Sequence, residues 1–212
     1  MSSRDETDPS GVLSHARKAG LSDSIIETIA RCSEFHTYPA PGLLMGIFMV
    51  ERALAELGAS PGEKLFAVAE TKKCLPDALQ VIAHCTIGNN RLRVLHAGRF
   101  AITMNRPSLE SSAEAVRVFL DEERMKVLPV YYAWFMHDPG FDKRTMTGQL
   151  FDEILQGTRD CLQVERVRVR VTQRTGWDAG RCSCCGELVP DNLLVDGTCA
   201  LCRDEPYYDP IA

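Results

Sequence analysis

Near the carboxyl end, Cys182-x-x-Cys185-Gly186 is followed by Cys199-x-x-Cys202, two C-x-x-C pairs within one short segment. Such a pair turns two thiolates toward one point at the ~2.3 Å zinc–sulfur distance, and a second pair completes a tetrahedron. Gly186 suits the turn, because a knuckle needs a residue free to take positive φ. Four protein sulfurs leave no open coordination position, so the expectation is one structural Zn2+ per chain, held by Cys182, Cys185, Cys199 and Cys202. Cys184 is a spare thiol, either a bystander or a competing ligand. A segment of about 30 residues is too small to hold a core unaided, so the metal should be what folds it. The chain has 9 cysteines, and their odd number and C-terminal clustering argue for metal in a reducing, cytoplasmic compartment rather than for disulfides.

The remaining sequence is long enough for one main core. With 212 residues, 45% hydrophobic and 25% charged, the expected organisation is a loose tail over 1–20, a core domain over 21–174 and a zinc-finger domain over 175–212. The longest apolar run, Gly42 to Val50, falls far short of the ~20 residues that cross a bilayer. The N-terminus shows no apolar segment after a basic start, so no secretory signal is expected. With 24 Lys and Arg against 29 Asp and Glu, the net charge of −5 offers no general field for phosphate backbones. Arg166, Arg168 and Arg170 line one strand face, but such a stripe more often protects a sheet edge, so nucleic acid is disfavoured as a partner.

Periodicity predicts the elements of the core. A helix from about Ser22 would bury Ile25, Ile26, Ile29 and Cys32, and Pro39 and Pro41 separate it from a helix over Leu43 to Leu57. The first half of that second helix is apolar all round, as expected of the central helix of a core. A short strand over Lys64 to Glu70 precedes a helix opened by Pro76. Leu92 to His96 and Phe100 to Met104 read as paired strands around Ala97-Gly98-Arg99. Ser111 and Glu114 offer a capping box for a helix using Leu109, Ala113, Val116 and Leu120. Val127 to Phe135 is ambiguous, and Thr147 to Thr158 is a predicted helix. Leu162 to Val171 alternates as a strand with a phase slip that a bulge near Glu165-Arg166 would produce, and Thr175 to Gly180 reads as the linker. The expected class is α+β, a mixed or antiparallel sheet packed with helices.

Three blocks carry a family resemblance: His36-Thr37-Tyr38-Pro39-Ala40-Pro41-Gly42, then Glu70-Thr71-Lys72-Lys73-Cys74-Leu75-Pro76-Asp77-Ala78-Leu79-Gln80 with Cys85-Thr86-Ile87-Gly88, and the segment Cys182 to Cys202. They resemble the E-subunit family of formylmethanofuran dehydrogenase. The resemblance implies an α+β core with a treble-clef-like zinc finger, a homodimer or association with a larger enzyme complex, and a second metal or active site in the core. Within its motifs, this chain has Tyr38 for a second His, Ala40 for a Cys and Lys72 for an Asp.

These departures remove two soft ligands and reverse a charge, so His36 and Cys74 alone should hold a divalent cation poorly. The expectation is that Lys72, with Lys73, replaces the lost positive charge, and that the pocket takes an anionic small molecule near the start of the helix at Pro41. Tyr38 would donate at the rim, and Asp77 and Cys85 belong to the same stretch as candidate pocket residues. Two functions follow as alternatives. One is a non-catalytic zinc protein serving as an accessory or ligand-binding module. The other is a small enzyme with Cys74 as nucleophile of lowered pKa, flanked by His36 and Lys72. A decayed pocket, with the lysines in solvent and Cys74 merely packed, is the plain alternative to both.

Overall fold

Pro41 opens the helix that organises the larger part of the chain, α3 (Pro41–Leu57), which ends at Gly58 with φ 59°. Every residue from Gly42 to Val50 is buried, and each large apolar side chain among them contributes ~1.5–3 kcal/mol of burial free energy. The computed structural model describes residues 9–171, 176–204 and 206–208. The chain divides into two units, residues 1–171 and 172–212. The expected boundary at 174/175 and the start of the expected linker at Thr175 lie outside the described residues.

In the first unit, α2 (Asp23–His36) and α4 (Leu75–Ala83) pack against α3 and against each other. Gly46 permits the close crossing of α3 and α4, since a Cβ there would stand 3.1 Å from Leu75 Cδ2 and 3.2 Å from Ala78 Cβ. The sheet contains β1 (Phe66–Ala69), β2 (Leu92–Val94), β3 (Ala101–Asn105), β4 (Ser112–Leu120) and β5 (Leu162–Arg170) in the order β2-β1-β3-β4-β5. Only the β1 and β2 pair is parallel, so the sheet is mixed and the fold is α+β, as the sequence leads one to expect. Ile102, Met104, Val116 and Val118 are fully buried on the face that meets α3. On the other face Arg117 bonds both Glu70, at 2.7 and 3.2 Å, and Glu165, at 3.1 Å. Glu70 also pairs with Arg99 at 2.6 Å. Three short or medium helices, α5 (Glu122–Met125), α6 (Pro129–Phe135) and α7 (Lys143–Gly157), and a 3-10 turn lead from β4 to β5.

Several expectations are corrected. Residues 9–18 form a helix, α1 (Pro9–Lys18), where a loose tail was expected; Val12 and Ala16, one turn apart, are fully buried. Residues 1–8 of that expected tail lie outside the described residues. β2 and β3 do not pair with each other but flank β1, because α4 carries the chain across and returns β2 parallel to β1. The stretch after Pro107 is strand β4 and not a helix: Val116, Val118 and Leu120 alternate inward between β3 and β5. No bulge interrupts β5, whose register against β4 is continuous from Leu162 to Arg170. Leu162 and Val164 lie on the same face as Arg166, and Arg166 continues past the core to bond the Glu56 carbonyl near the end of α3 at 2.7 Å. Pro129 resolves the ambiguous stretch as helix. The helix expected from Thr147 begins earlier, at Lys143, where the Asp142 side chain caps it by accepting from the Arg144 N–H.

The second unit contains a two-stranded sheet of β6 (Ala179–Arg181) and β7 (Leu188–Pro190), a 3-10 turn at Asp191–Leu193, and a short helix, α8 (Ala200–Arg203). The expected linker therefore yields its last two residues to β6. Among the described residues no helix is long and apolar enough to cross a membrane.

Candidate functional site

In the second unit the thiols of Cys182, Cys185, Cys199 and Cys202 all lie within 4.8 Å of one another. Four sulfurs around a single ion at ~2.3 Å stand about 3.8 Å apart, so this cluster could close on a metal with small side-chain adjustments. The turn after β6 builds the first half: the Cys182 N–H bonds the Glu187 carbonyl, the Gly186 N–H bonds the Cys182 carbonyl, and Gly186 has φ 75°. Cys199 precedes α8 and Cys202 lies within it, so the second pair is presented from a helix start. Backbone N–H groups of Cys199, Cys185 and Cys184 lower the Cys182 thiol to about 6, with Cys199 N standing 3.4 Å from its sulfur. The thiols of Cys199 and Cys185 push that of Cys202 up, as expected where thiols crowd one site. Cys184 is exposed and stands outside the set of four.

The core arrangement begins where α2 ends. His36 is its last residue, Thr37 turns the chain with φ 74°, and Tyr38 follows. The His36 Nδ1 lies 2.5 Å from Asp77 Oδ2, in the first turn of α4, and the other Asp77 oxygen accepts from Gln80 Nε2 at 3.3 Å. Asp77 thus favours the tautomer with the proton on Nδ1. The other ring nitrogen, Nε2, is buried and has no hydrogen-bond partner among the described residues. The half-exposed Tyr38 ring lies against the imidazole, with centroids 5.0 Å apart.

Cys74 sits immediately before α4 in a strained conformation, φ 53° and ψ −50°, while the Leu75 N–H bonds the Lys73 carbonyl at 2.5 Å. That is a γ-turn of the rare positive-φ kind. Strain of this sort costs ~1–3 kcal/mol and persists only where the surroundings enforce it. Gly42, in the first turn of α3, leaves room for the thiol: a Cβ there would stand 3.2 Å from Cys74 Sγ and 3.5 Å from Phe100 Cζ. Burial raises the Cys74 thiol, the Asp77 charge raises it further, and Lys73 offsets part of this. The expected lowering of its pKa is therefore corrected, because loss of water and a nearby carboxylate outweigh the ammonium.

The structure gathers His36, Asp77, Tyr38 and Cys74 into one neighbourhood. Of the rest of the expected pocket, Lys73 acts on Cys74 through its charge and Cys85 stands apart. Lys72 and Lys73 are exposed. Cys85 lies beyond the far end of α4, some 13 Å along the helix at 1.5 Å per residue. It is fully buried and donates to the Leu65 carbonyl at 3.3 Å, and burial lifts its thiol to about 11. Cys32, read from sequence only as a core position, stands one turn before His36 on α2 and is fully buried. Burial raises its thiol to about 11, and the Asp77 charge adds to that effect. The i, i+4 spacing of Cys32 and His36 was the signal for this proximity.

A family model described as "FmdE, Molybdenum formylmethanofuran dehydrogenase operon" matches residues 35–169, which span the core from just before His36 to β5. A protein of Archaeoglobus fulgidus described as a "Probable S-adenosyl-L-methionine-binding protein" is 28% identical over 208 residues, covering 90% of this chain. The chain spans 56% of that protein's length. The crystal structure of a tungsten formylmethanofuran dehydrogenase FmdE-like protein from Syntrophus aciditrophicus matches with 31% identity and a TM-score of 0.71, covering 88% of this chain and 94% of that one. With the α+β core, the His36 and Cys74 blocks and the four-thiol cluster all in place, the chain belongs to the FmdE family.

Proposed function

We propose that this chain is a zinc-binding accessory protein of the FmdE family, with one structural Zn2+ on Cys182, Cys185, Cys199 and Cys202 and a ligand-binding site around His36 in place of a second metal centre. Four thiolates suit zinc, closing its coordination and leaving the ion no catalytic position. The zinc would supply folding free energy to its module. Its chain ligands do the rest: the knuckle at Gly186 holds two sulfurs, and α8 holds the others.

One observation carries the ligand-binding part. His36 Nε2 is buried and has no hydrogen-bond partner among the described residues, while Asp77 engages the other ring nitrogen, and leaving such an atom unpaired costs ~1–3 kcal/mol. A bound molecule that satisfies it recovers that cost. The high thiol pKa of Cys74 opposes a nucleophilic role, so binding is favoured over catalysis. In this reading the protein works in the cytoplasm, as a homodimer or beside a larger enzyme.

Metal stoichiometry tests the proposal. Native protein purified without added metal, measured by plasma mass spectrometry, should carry one zinc per chain, lost in Cys185→Ser and retained in His36→Ala. A second ion that disappears in His36→Ala would overturn the reading of the core site.

A further inference from the structure

We propose that the molecule received at His36 is a planar heteroaromatic ring bearing an amino N–H donor, and not an anion; this rests on the ligand-binding reading above. Three features of the site select that chemistry. In the tautomer that Asp77 favours, with the proton on Nδ1, His36 presents a lone pair at Nε2, so the matching group is a donor. The formal charge in direct contact with the imidazole is the Asp77 carboxylate, whereas Lys72 and Lys73 are exposed, so an anion gains no buried counter-charge.

Aromatic side chains supply the third feature. Tyr38 lies half exposed against the imidazole. Phe100 reaches the Gly42 and Cys74 contact, meets Phe135 edge-on at 6.0 Å, and Phe135 in turn meets Trp134 at 6.4 Å. All three of these rings are partly exposed. Ring faces of this kind bind other rings with little regard to charge, each stack adding modestly to affinity. The ligand ring packs against Tyr38, half exposed beside the imidazole.

The test uses two nucleosides as probes, adenosine and purine riboside, which share a ring face and differ in the exocyclic amino group, together with inorganic phosphate. Isothermal titration of the zinc-loaded full chain at pH 7.5 should show adenosine binding about tenfold tighter than purine riboside, the value of one hydrogen bond to a buried acceptor. His36→Ala should abolish that preference while leaving residual binding of both nucleosides. Phe100→Leu should weaken both equally and keep the preference. A histidine with only a structural role would not alter the ratio between the two nucleosides. Equal binding of both by the native chain, or no binding of either at 5 mM, overturns the proposal. Phosphate binding that depends on His36, without nucleoside binding, overturns it too, yet leaves the ligand-binding function standing.

Discussion

Gly42 and Cys74 provide the sharpest test of the core geometry, through a double-mutant cycle. Replacing glycine by alanine in a helix ordinarily gains up to ~1 kcal/mol, and less in the first turn, where Gly42 lies. Here the new Cβ would meet Cys74 Sγ at 3.2 Å and Cys74 Cβ at 3.3 Å, inside normal van der Waals separation. Cys74 cannot swing aside cheaply, because the Leu75 N–H bond to Lys73 fixes its backbone. Overpacking of this kind costs ~1–3 kcal/mol, so Gly42→Ala should destabilise by a net ~1–2 kcal/mol. In a chain of this length each kcal/mol moves Tm by about 2–4 °C, so the expected fall is roughly 2–8 °C. Cys74→Gly removes both crowding atoms and accepts positive φ, while losing the burial of a small side chain; alone it should be near neutral. In the Cys74→Gly background the alanine should then cost nothing, giving a coupling energy of ~1–2 kcal/mol. Thermal unfolding followed by far-ultraviolet circular dichroism, with zinc in excess throughout, reads all four corners. A rise in Tm for Gly42→Ala alone, or a penalty that persists in the double variant, would refute the close approach of α3 to Cys74.

Thiol chemistry gives a second prediction: in zinc-loaded protein the exposed Cys184 should react with a disulfide reagent first, while Cys32, Cys85 and Cys161, each lifted to about 11 by burial, remain slow at pH 7.5. Cys74 should join the slow group, and its modification as fast as Cys184 would restore the nucleophile reading. Removing the metal with a chelator should expose residues 176–204 to protease and leave the core's thermal transition unchanged; protection that survives zinc loss would show that the metal does not fold the module. Glu70 yields a pH prediction. Burial raises its carboxyl, but hydrogen bonds and charge from Arg117 and Arg99 outweigh this and hold it below the usual value. A lowered folded-state pKa stabilises above the unfolded value of ~4.3 and ceases to do so as pH falls through the folded one. Glu70→Gln should therefore cost ~2 kcal/mol at pH 7 and progressively less as pH falls through the folded-state value, measured by urea unfolding; a cost that does not change with pH would show that its charge is immaterial.

What the sequence reveals here depends on how far apart the cooperating residues lie. The four cysteines were legible because each C-x-x-C pair is its own turn, and the two turns lie close in the chain. Helices α2, α3 and α4 were legible from apolar spacing, and α3 and α4 also from prolines at their starts. Strand β4 was not, since Ala113, Val116 and Leu120 satisfy helical spacing while Val116, Val118 and Leu120 satisfy strand alternation, and only pairing with β3 and β5 decides between them. The core site fails for a related reason. Lys72, Lys73 and Cys74 are consecutive, yet the γ-turn sends Cys74 inward while both lysines stay exposed, so the charge that adjacency predicted acts from the surface and Lys73 offsets only part of the effect of burial on Cys74. His36 and Asp77, separated by 41 positions, meet because Gly46 lets α4 lie close against α3 while α2 packs on both. The partner that orients the histidine was thus already visible as a candidate pocket residue. Its orienting role exists only once three helices are packed, and a substitution that separates α3 from α4, such as Gly46→Leu, should loosen the imidazole without touching it.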